Sequence, residues 1–459
     1  MLAGGVVWGG RGLLRWAGLR LWSRRGPLVL ALLWFGSWLF LNGLVLVHRT
    51  ILSDSCTDQR SRRILQRLCL EFGEGAVAGD MCEDLCVRGR VQYQRCLYYQ
   101  NGKKVLEALW GGRRVVLKSK LENFSSYEPL GLLDYQDAAD ELTPLDVVFY
   151  ATLEVRNSLG LAGEDEDEEG GGANSSLASQ WGQRLKSRGR SYSRAELASL
   201  WSLLQQEEYT FLRVLQDLST HVAQVLGSCG HFYAVEYLSA GRTWDQNIFS
   251  LEEAAAPPGP RGRWSVRDQV HRVALSFLDM VRHFDHDFTH RLHLCDVKPE
   301  NFAIRKDLTV VAIDVDMAFF EPKMRDILDQ NCSSDDDCSF FDCASRCNAE
   351  RHRCSRRRRN TNLQVICEKI FRPWFSPTIL GAKAGLPLQV ELQQAVQECS
   401  ETGSDVGEGE EDEGREETGG GIHQRLLSIL TRLLQEGGAS GEEGGAREKR
   451  DHAHTALNF

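Results

Sequence analysis

Four polar side chains stand out in one stretch of mostly apolar sequence: Asp296, Lys298 and Asn301, then Asp314 beyond a turn. A carboxylate, a lysine, an amide and a second carboxylate in that order are the equipment of phosphoryl transfer. Asp296 would accept the proton of an attacking hydroxyl, and Lys298 would steady the transferring phosphate. Asn301 and Asp314 would hold the magnesium ions that neutralise its charge. The flanking elements have to bring the two acids together. Phe302-Ala303-Ile304 and Val310-Val311-Ala312-Ile313 read as short buried strands on either side of a turn at Lys306-Asp307. Such a pair sets both acids at strand ends facing one cleft. The bland alternative is a surface turn with scattered acids. Apolar strands so close to each acid argue against it.

Upstream, Lys104 to Trp110 and Arg113 to Lys118 read as two strands joined by Gly111-Gly112, a two-residue hairpin signal. The second strand ends Val115-Val116-Leu117-Lys118, near the Val-Ala-Ile-Lys pattern whose lysine binds nucleotide phosphates. From Arg194 to Leu218 apolar residues recur at helical spacing, and this predicted helix carries Glu207 and Glu208. Glu208 is the candidate partner of Lys118; the alternative is a solvated helix face. His231 to Leu238 reads as a buried strand entering an exposed connector. Gln269 to Phe284 reads as an amphipathic helix leading into the catalytic segment. Taken together, the spacing is that of a protein-kinase catalytic loop, with departures. Leu294-Cys295 stand where His-Arg is usual, and Val315-Asp316 where Phe-Gly is usual. No Gly-x-Gly-x-x-Gly precedes Lys118; Tyr98 to Lys103 is the nearest segment, with one glycine. Asp316 reads either as a further metal ligand or as a surface acid. Cys295 reads as a redox-active thiol or as half of a disulfide.

At 459 residues the chain has room for a two-lobed catalytic unit with appendages. Its formal net charge of -10 is concentrated in runs such as Glu164 to Glu169 and Glu401 to Glu417, which read as solvated and disordered. Nothing suggests nucleic-acid binding. Arg356 to Arg359 reads as an exposed loop or a processing site. Pro27 to Val47 is an uncharged apolar run of 21 residues, long enough to span a bilayer. A cleaved signal peptide competes with that reading, but no small-x-small site follows the run. Arg11, Arg15, Arg20, Arg24 and Arg25 precede it and Arg49 follows. The positive-inside rule then predicts a type II anchor with the bulk of the chain in a lumen. All 14 cysteines lie beyond that run, which suits an oxidising compartment. Zinc is the rival explanation, although paired Cys-x-x-Cys elements are absent. Asn123, Asn174 and Asn331 begin glycosylation sequons.

Several strings carry a resemblance. They are Cys56-Thr57-Asp58, Gly79 to Cys86, His231 to Glu236, His293 to Ile304, Val310 to Pro322 and Asn362 to Cys367. On these the chain resembles the divergent protein kinase domain family of cysteine-rich type II membrane proteins of the endoplasmic reticulum. The resemblance implies an α+β, two-lobed protein-kinase-like fold with disulfide-rich insertions behind one transmembrane helix. It implies ATP with Mg or Mn as cofactors, with Lys118, Glu208, Asp296, Asn301 and Asp314 in the roles above. Residues 1–26 would be a cytosolic tail and 27–47 the anchor. Residues 48–100 would form a luminal cysteine block, 101–238 the N-lobe, 239–400 the C-lobe and 401–459 an acidic, mostly disordered tail with a weak helix at 422–435. Some relatives carry a calcium loop ahead of the glutamate helix. Here Glu196 would be its last ligand, but Leu185, Ser187 and Gly189 fall at the other positions, so that site is expected to be degenerate. Two functions remain open: a luminal kinase acting on a secretory-pathway protein or glycan, and a pseudokinase serving as a luminal binding or regulatory scaffold. The endoplasmic reticulum membrane is the expected location, with the Golgi as alternative.

Overall fold

A computed structural model describes residues 33–42, 56–100, 102–129, 193–242, 249, 266–288, 290–375, 387–401 and 421–436. Its first lobe is built on five antiparallel strands in the order β1-β2-β3-β5-β4: β1 (Val91–Gln100), β2 (Lys103–Trp110), β3 (Arg113–Ser119), β4 (Val225–Cys229) and β5 (Phe232–Glu236). Gly111 and Gly112 take φ of 58° and 84°, the left-handed values that a two-residue turn between β2 and β3 requires. Strand alternation then sorts the side chains. Leu106, Ala108, Val115 and Leu117 face α1 (Asp58–Gly73) and pack with Ile64, Leu65 and Leu68. The opposite face, with Lys103, Val105, Val116 and Lys118, looks into the cleft. Three disulfides fasten this lobe: Cys56–Cys96, Cys69–Cys86 and Cys82–Cys229. The sheet therefore begins inside the stretch read as the cysteine block, because β1 pairs along its length with β2.

The helix expected over Arg194 to Leu218 is two helices, α2 (Arg194–Leu204) and α3 (Glu207–Leu215). The break falls at Gln206, whose backbone is extended and whose amide reaches out of the helix. It accepts from the Lys120 amide and donates to the His231 carbonyl, each at 2.8 Å. Tertiary hydrogen bonds override the helical pattern there. The break gives α3 a direction independent of α2, and α3 is the element that carries Glu208.

The second lobe is organised around α4 (Val266–His286), whose buried stripe includes Val270, Val273, Phe277, Val281 and Phe284. Phe277 meets Phe302 and Phe371 edge to face, at 5.3 Å and 5.9 Å. β6 (Leu292–Leu294) pairs with β9 (Ala318–Phe320), and β7 (Phe302–Ile304) with β8 (Val310–Ala312). After α5 (Glu321–Leu328) come two small hairpins, then α6 (Asn362–Ile366) and α7 (Pro387–Glu401). Helix 421–436, read from sequence as weak, buries Leu426, Ile429, Leu430 and Leu433 in the same core. The acidic runs beyond Glu401 and at Glu164 to Glu169, together with Leu185, Ser187 and Gly189, lie outside the described residues.

All 14 cysteines are paired. Beyond the three bonds above, Cys295–Cys343, Cys332–Cys347, Cys338–Cys354 and Cys367–Cys399 complete the set, so the thiolates a zinc site needs are consumed. Among the described residues no helix is long and apolar enough to cross a membrane. Of the expected anchor only 33–42 is described, as helix with Leu33, Trp34 and Phe40 exposed.

Candidate active site

Lys118 sits near the end of β3 with its side chain buried, and its ammonium pairs with Glu208 of α3. The same ammonium donates to the carbonyl of Ile313 at 2.7 Å. One lysine thus joins the sheet, the glutamate helix and the residue next to Asp314. Glu208 keeps its second oxygen on the Tyr233 hydroxyl at 3.0 Å. Burial drives the Tyr233 hydroxyl pKa well up, and the Glu208 charge adds to it, so the phenol stays a donor.

Asp296 forms the second centre. It follows β6 and accepts from Lys298 at 2.6 Å and from the Asn301 amide at 3.0 Å. The Asn301 amide also donates to the Asp296 carbonyl at 2.8 Å, closing the loop on itself. Burial opposes the charge on Lys298, but the Asp296 contact outweighs it and raises the lysine pKa. The two centres are tied by the Ile313 amide, which donates to the Asn301 carbonyl at 2.9 Å. The short β7–β8 hairpin makes that bond, as the apolar flanks of the motif implied.

Two participants were not found from the sequence as site residues. Lys103, the first residue of β2, places its ammonium 3.2 Å from Asp314, 2.5 Å from Asp316 and 3.4 Å from Glu208. Burial disfavours its charge, yet the three carboxylates outweigh that and raise its pKa. Asp314 is pushed up by burial but held below its ordinary value by Lys118 and Lys103. Asp316, left open between ligand and surface acid, belongs to this cluster. Burial, then Glu208 and Asp314, lift it to about 6. The available signal for Lys103 was Asn101-Gly102, a strong two-residue hairpin dipeptide between strand-like runs.

The second residue is Asp342, in the hairpin after the catalytic loop. One of its oxygens accepts from the Val297 amide at 2.7 Å, and the other pairs with Lys369. Its backbone amide donates to the Cys295 carbonyl at 2.9 Å, beside the Cys295–Cys343 bond. Cys295 is therefore half of a disulfide, and the bond anchors the residue preceding Asp296. Just behind lies a buried polar network. Arg358 donates to Asn362 at 2.8 Å, and Asn362 donates to Asp285 at 3.0 Å and accepts from the Leu294 amide at 2.9 Å. The arginine run is thus not wholly exposed. Arg358 turns inward: its Nε donates to Asn360 and its Nη1 to Asn362 beside His293, and the charges of Asp285 and Asp342 offset part of the cost of burial.

Oxygen donors suit a hard divalent cation. Carboxylate oxygens of Glu208, Asp314 and Asp316 lie within 4.8 Å of one another, near enough for one divalent cation to draw them together. Asn301, expected among the metal ligands, has its amide nitrogen on Asp296. Glu196, expected at the degenerate calcium loop, instead closes a capping box with Ser193 at the start of α2.

A sheet-borne lysine paired to a helix glutamate, over a loop aspartate and a second aspartate, defines a protein-kinase-like cleft. Residues 200–402 match the family model described as the protein-kinase domain of FAM69, and residues 23–143 match the model described as the N-terminal cysteine-rich ER region of FAM69. The chain belongs to the FAM69 family, the divergent kinase family its motifs resemble. It is a cysteine-rich protein associated with the endoplasmic reticulum.

Proposed function

We propose that this protein is a single-pass type II membrane protein whose luminal cleft binds ATP with Mg or Mn and transfers the γ-phosphoryl group to a secretory-pathway protein or glycan. The observation that carries this reading is the Lys118–Glu208 pair reaching the Ile313 carbonyl, which sets Asp314 opposite the Asp296 centre. A divalent cation held by Asp314 with Asp316 would neutralise phosphate charge. Lys118 would orient the phosphates. Asp296 would take the acceptor hydroxyl's proton while Lys298 offsets the charge beside it. The exposed apolar helix at 33–42 and the seven disulfides favour the anchor and the lumen. Asn331 is exposed, as a glycan acceptor must be.

The test is MgATP binding and turnover by the detergent-solubilised protein, beside Asp296→Ala and Asp314→Ala. Turnover on luminal proteins or glycans that disappears in both variants is the expected result. A protein that binds no nucleotide would sink the reading. Binding without turnover on any luminal substrate would favour a pseudokinase scaffold. One observation supports that second reading: the β1–β2 connection is two residues long, too short for a glycine-rich cradle.

A further inference from the structure

The sheet side of the cleft holds two lysines, Lys103 and Lys118, where the sequence offered Lys118 alone. We propose that Lys103 is a phosphate-binding residue that does the work of the missing glycine-rich loop and replaces one of the divalent cations. The inference rests on the nucleotide-binding reading above.

Its place in the pattern comes first. In Gly-x-Gly-x-x-Gly-x-Val the valine roofs the nucleotide. Here Val105 lies on the cleft face, packed beside the core that contains Val116. Val105 sits directly across from Lys118 on the neighbouring strand. Counting back two residues puts Lys103 at the last glycine. Gln100 pairs with Lys103, so two residues remain between the strands and no run of backbone amides is left to cradle phosphates. A charged side chain projects at the spot instead.

That projection is fixed. Gly102 has a φ of 89°, and a Cβ there would stand 3.0 Å from the Lys120 carbonyl, so the turn lies down on the end of β3. From the opposite face, fully buried Lys104 donates to the Gly102 carbonyl at 3.1 Å. Consecutive lysines thus divide the labour: Lys104 holds the turn from inside, and Lys103 enters the cleft. The cluster it joins opens to solvent, since Asp314 and Asp316 are 36% and 41% exposed. A polyanion can therefore reach the ammonium without unfolding anything.

Charge favours phosphate over a permanent plug. Glu208, Asp314 and Asp316 against Lys103 and Lys118 leave one net negative charge, which a single divalent cation reverses. Without Lys103 the deficit doubles and a second cation would be needed to face a triphosphate. Lys103 would leave the aspartates for the phosphates as the cation takes its place on them.

The experiment is titration calorimetry on the detergent-solubilised full chain with ATP and with adenosine, across a series of Mg concentrations. Lys103→Met is expected to weaken ATP binding roughly tenfold, the worth of one charge-assisted hydrogen bond. It should also raise the Mg concentration needed for half-maximal binding and leave adenosine affinity unchanged. Lys103→Arg should recover most of the ATP affinity, and it serves as the second variant if the methionine protein melts early. ATP binding by Lys103→Met equal to or tighter than wild type would overturn the proposal while leaving the nucleotide reading intact. Loss of adenosine and ATP binding alike in Lys103→Met, with Lys103→Arg no better, would mark a structural role and also overturn it. A wild-type protein that binds neither ligand would remove both.

Discussion

On the sheet side of the cleft, Lys103, Lys118, Glu208, Asp314 and Asp316 are held by ion pairs and hydrogen bonds, with no covalent tie among them. On the loop side, Asp296 adjoins a cysteine bonded to Cys343, and Asp342 grips the Val297 amide while pairing with Lys369. The first set can exchange partners at little cost, because Lys103 and Glu208 each face more than one opposite charge. The second is covalently tied and has no such freedom. A kinase regulated by phosphorylation moves its activation segment; here the hairpin after α5 is stapled to Cys295, the residue preceding Asp296. The contrast points to a cleft whose sheet-side wall adapts and whose loop-side wall is set when its disulfides form.

The largest expected effect separates the walls by function. Asp296→Asn should cut turnover by about 10²- to 10⁴-fold, the usual worth of a positioned general base. ATP affinity should stay within about twofold, because Asp296 makes no contact with Lys118 or Glu208. A parallel loss of ATP affinity would mean the two centres act as one and would break the comparison.

Next comes the staple itself. Cys295→Ser with Cys343→Ser opens a loop of 48 residues. The chain-entropy estimate for such a loop is about 4 kcal/mol of lost stability. Amide exchange at Val297 should accelerate while that of Lys118 and its strand neighbours stays slow. Equal acceleration on both sides, followed by hydrogen-exchange mass spectrometry, would show that the walls are not independently held.

A smaller effect is expected from Lys118→Met. Removing one partner of a buried pair often costs about 3–5 kcal/mol because a lone charge is left behind. Here Glu208 retains the Tyr233 hydroxyl and Lys103 at 3.4 Å. The loss should therefore be about 1–2 kcal/mol in chemical denaturation. Adding Lys103→Met should cost more than the two single losses summed, by upwards of about 0.5 kcal/mol. Simple additivity would show that the lysines do not back each other up.

The parts legible in the sequence share one property: their signal is local. The β2–β3 hairpin follows from Gly111-Gly112, the α4 stripe from helical spacing, and the β7–β8 hairpin from the apolar runs on either side of Lys306-Asp307. What stayed hidden depends on elements far apart in the chain. Lys103 meets Asp316 only once a hairpin folds over a lobe more than 200 positions away, as the Lys103–Asp316 separation of 213 records. Gln206 breaks a well-patterned helix because its partners lie far off in the chain, Lys120 just past β3 and His231 in the β4–β5 turn. Arg358 reads as surface in a run of four arginines, and only the position of Asn362 and His293 turns it inward. The disulfide partners were equally invisible, since spacing constrains cysteine pairing weakly.

The smallest effect concerns pH and the lysine beneath the turn. Burial lowers the Lys104 pKa to about 7, with Glu122 and Arg60 as opposing minor influences. The unfolded chain keeps that lysine near 10.5, so between pH 7 and 10.5 it binds more protons than the folded protein does. Stability therefore gains a contribution that rises with pH across that window and levels off below about 7. Lys104→Met should remove this slope, leaving denaturant midpoints from pH 7 to 9 flatter than in wild type. It should also weaken ATP binding modestly, because the Gly102 carbonyl loses the donor that holds the turn under Lys103. The disulfide-held wall offers no matching test: its cysteines are all bonded and do not titrate in that range. An unchanged slope in Lys104→Met would place the titrating group elsewhere. The sheet wall would then owe its firmness at the turn to the Gly102–Lys120 contact rather than to the buried lysine.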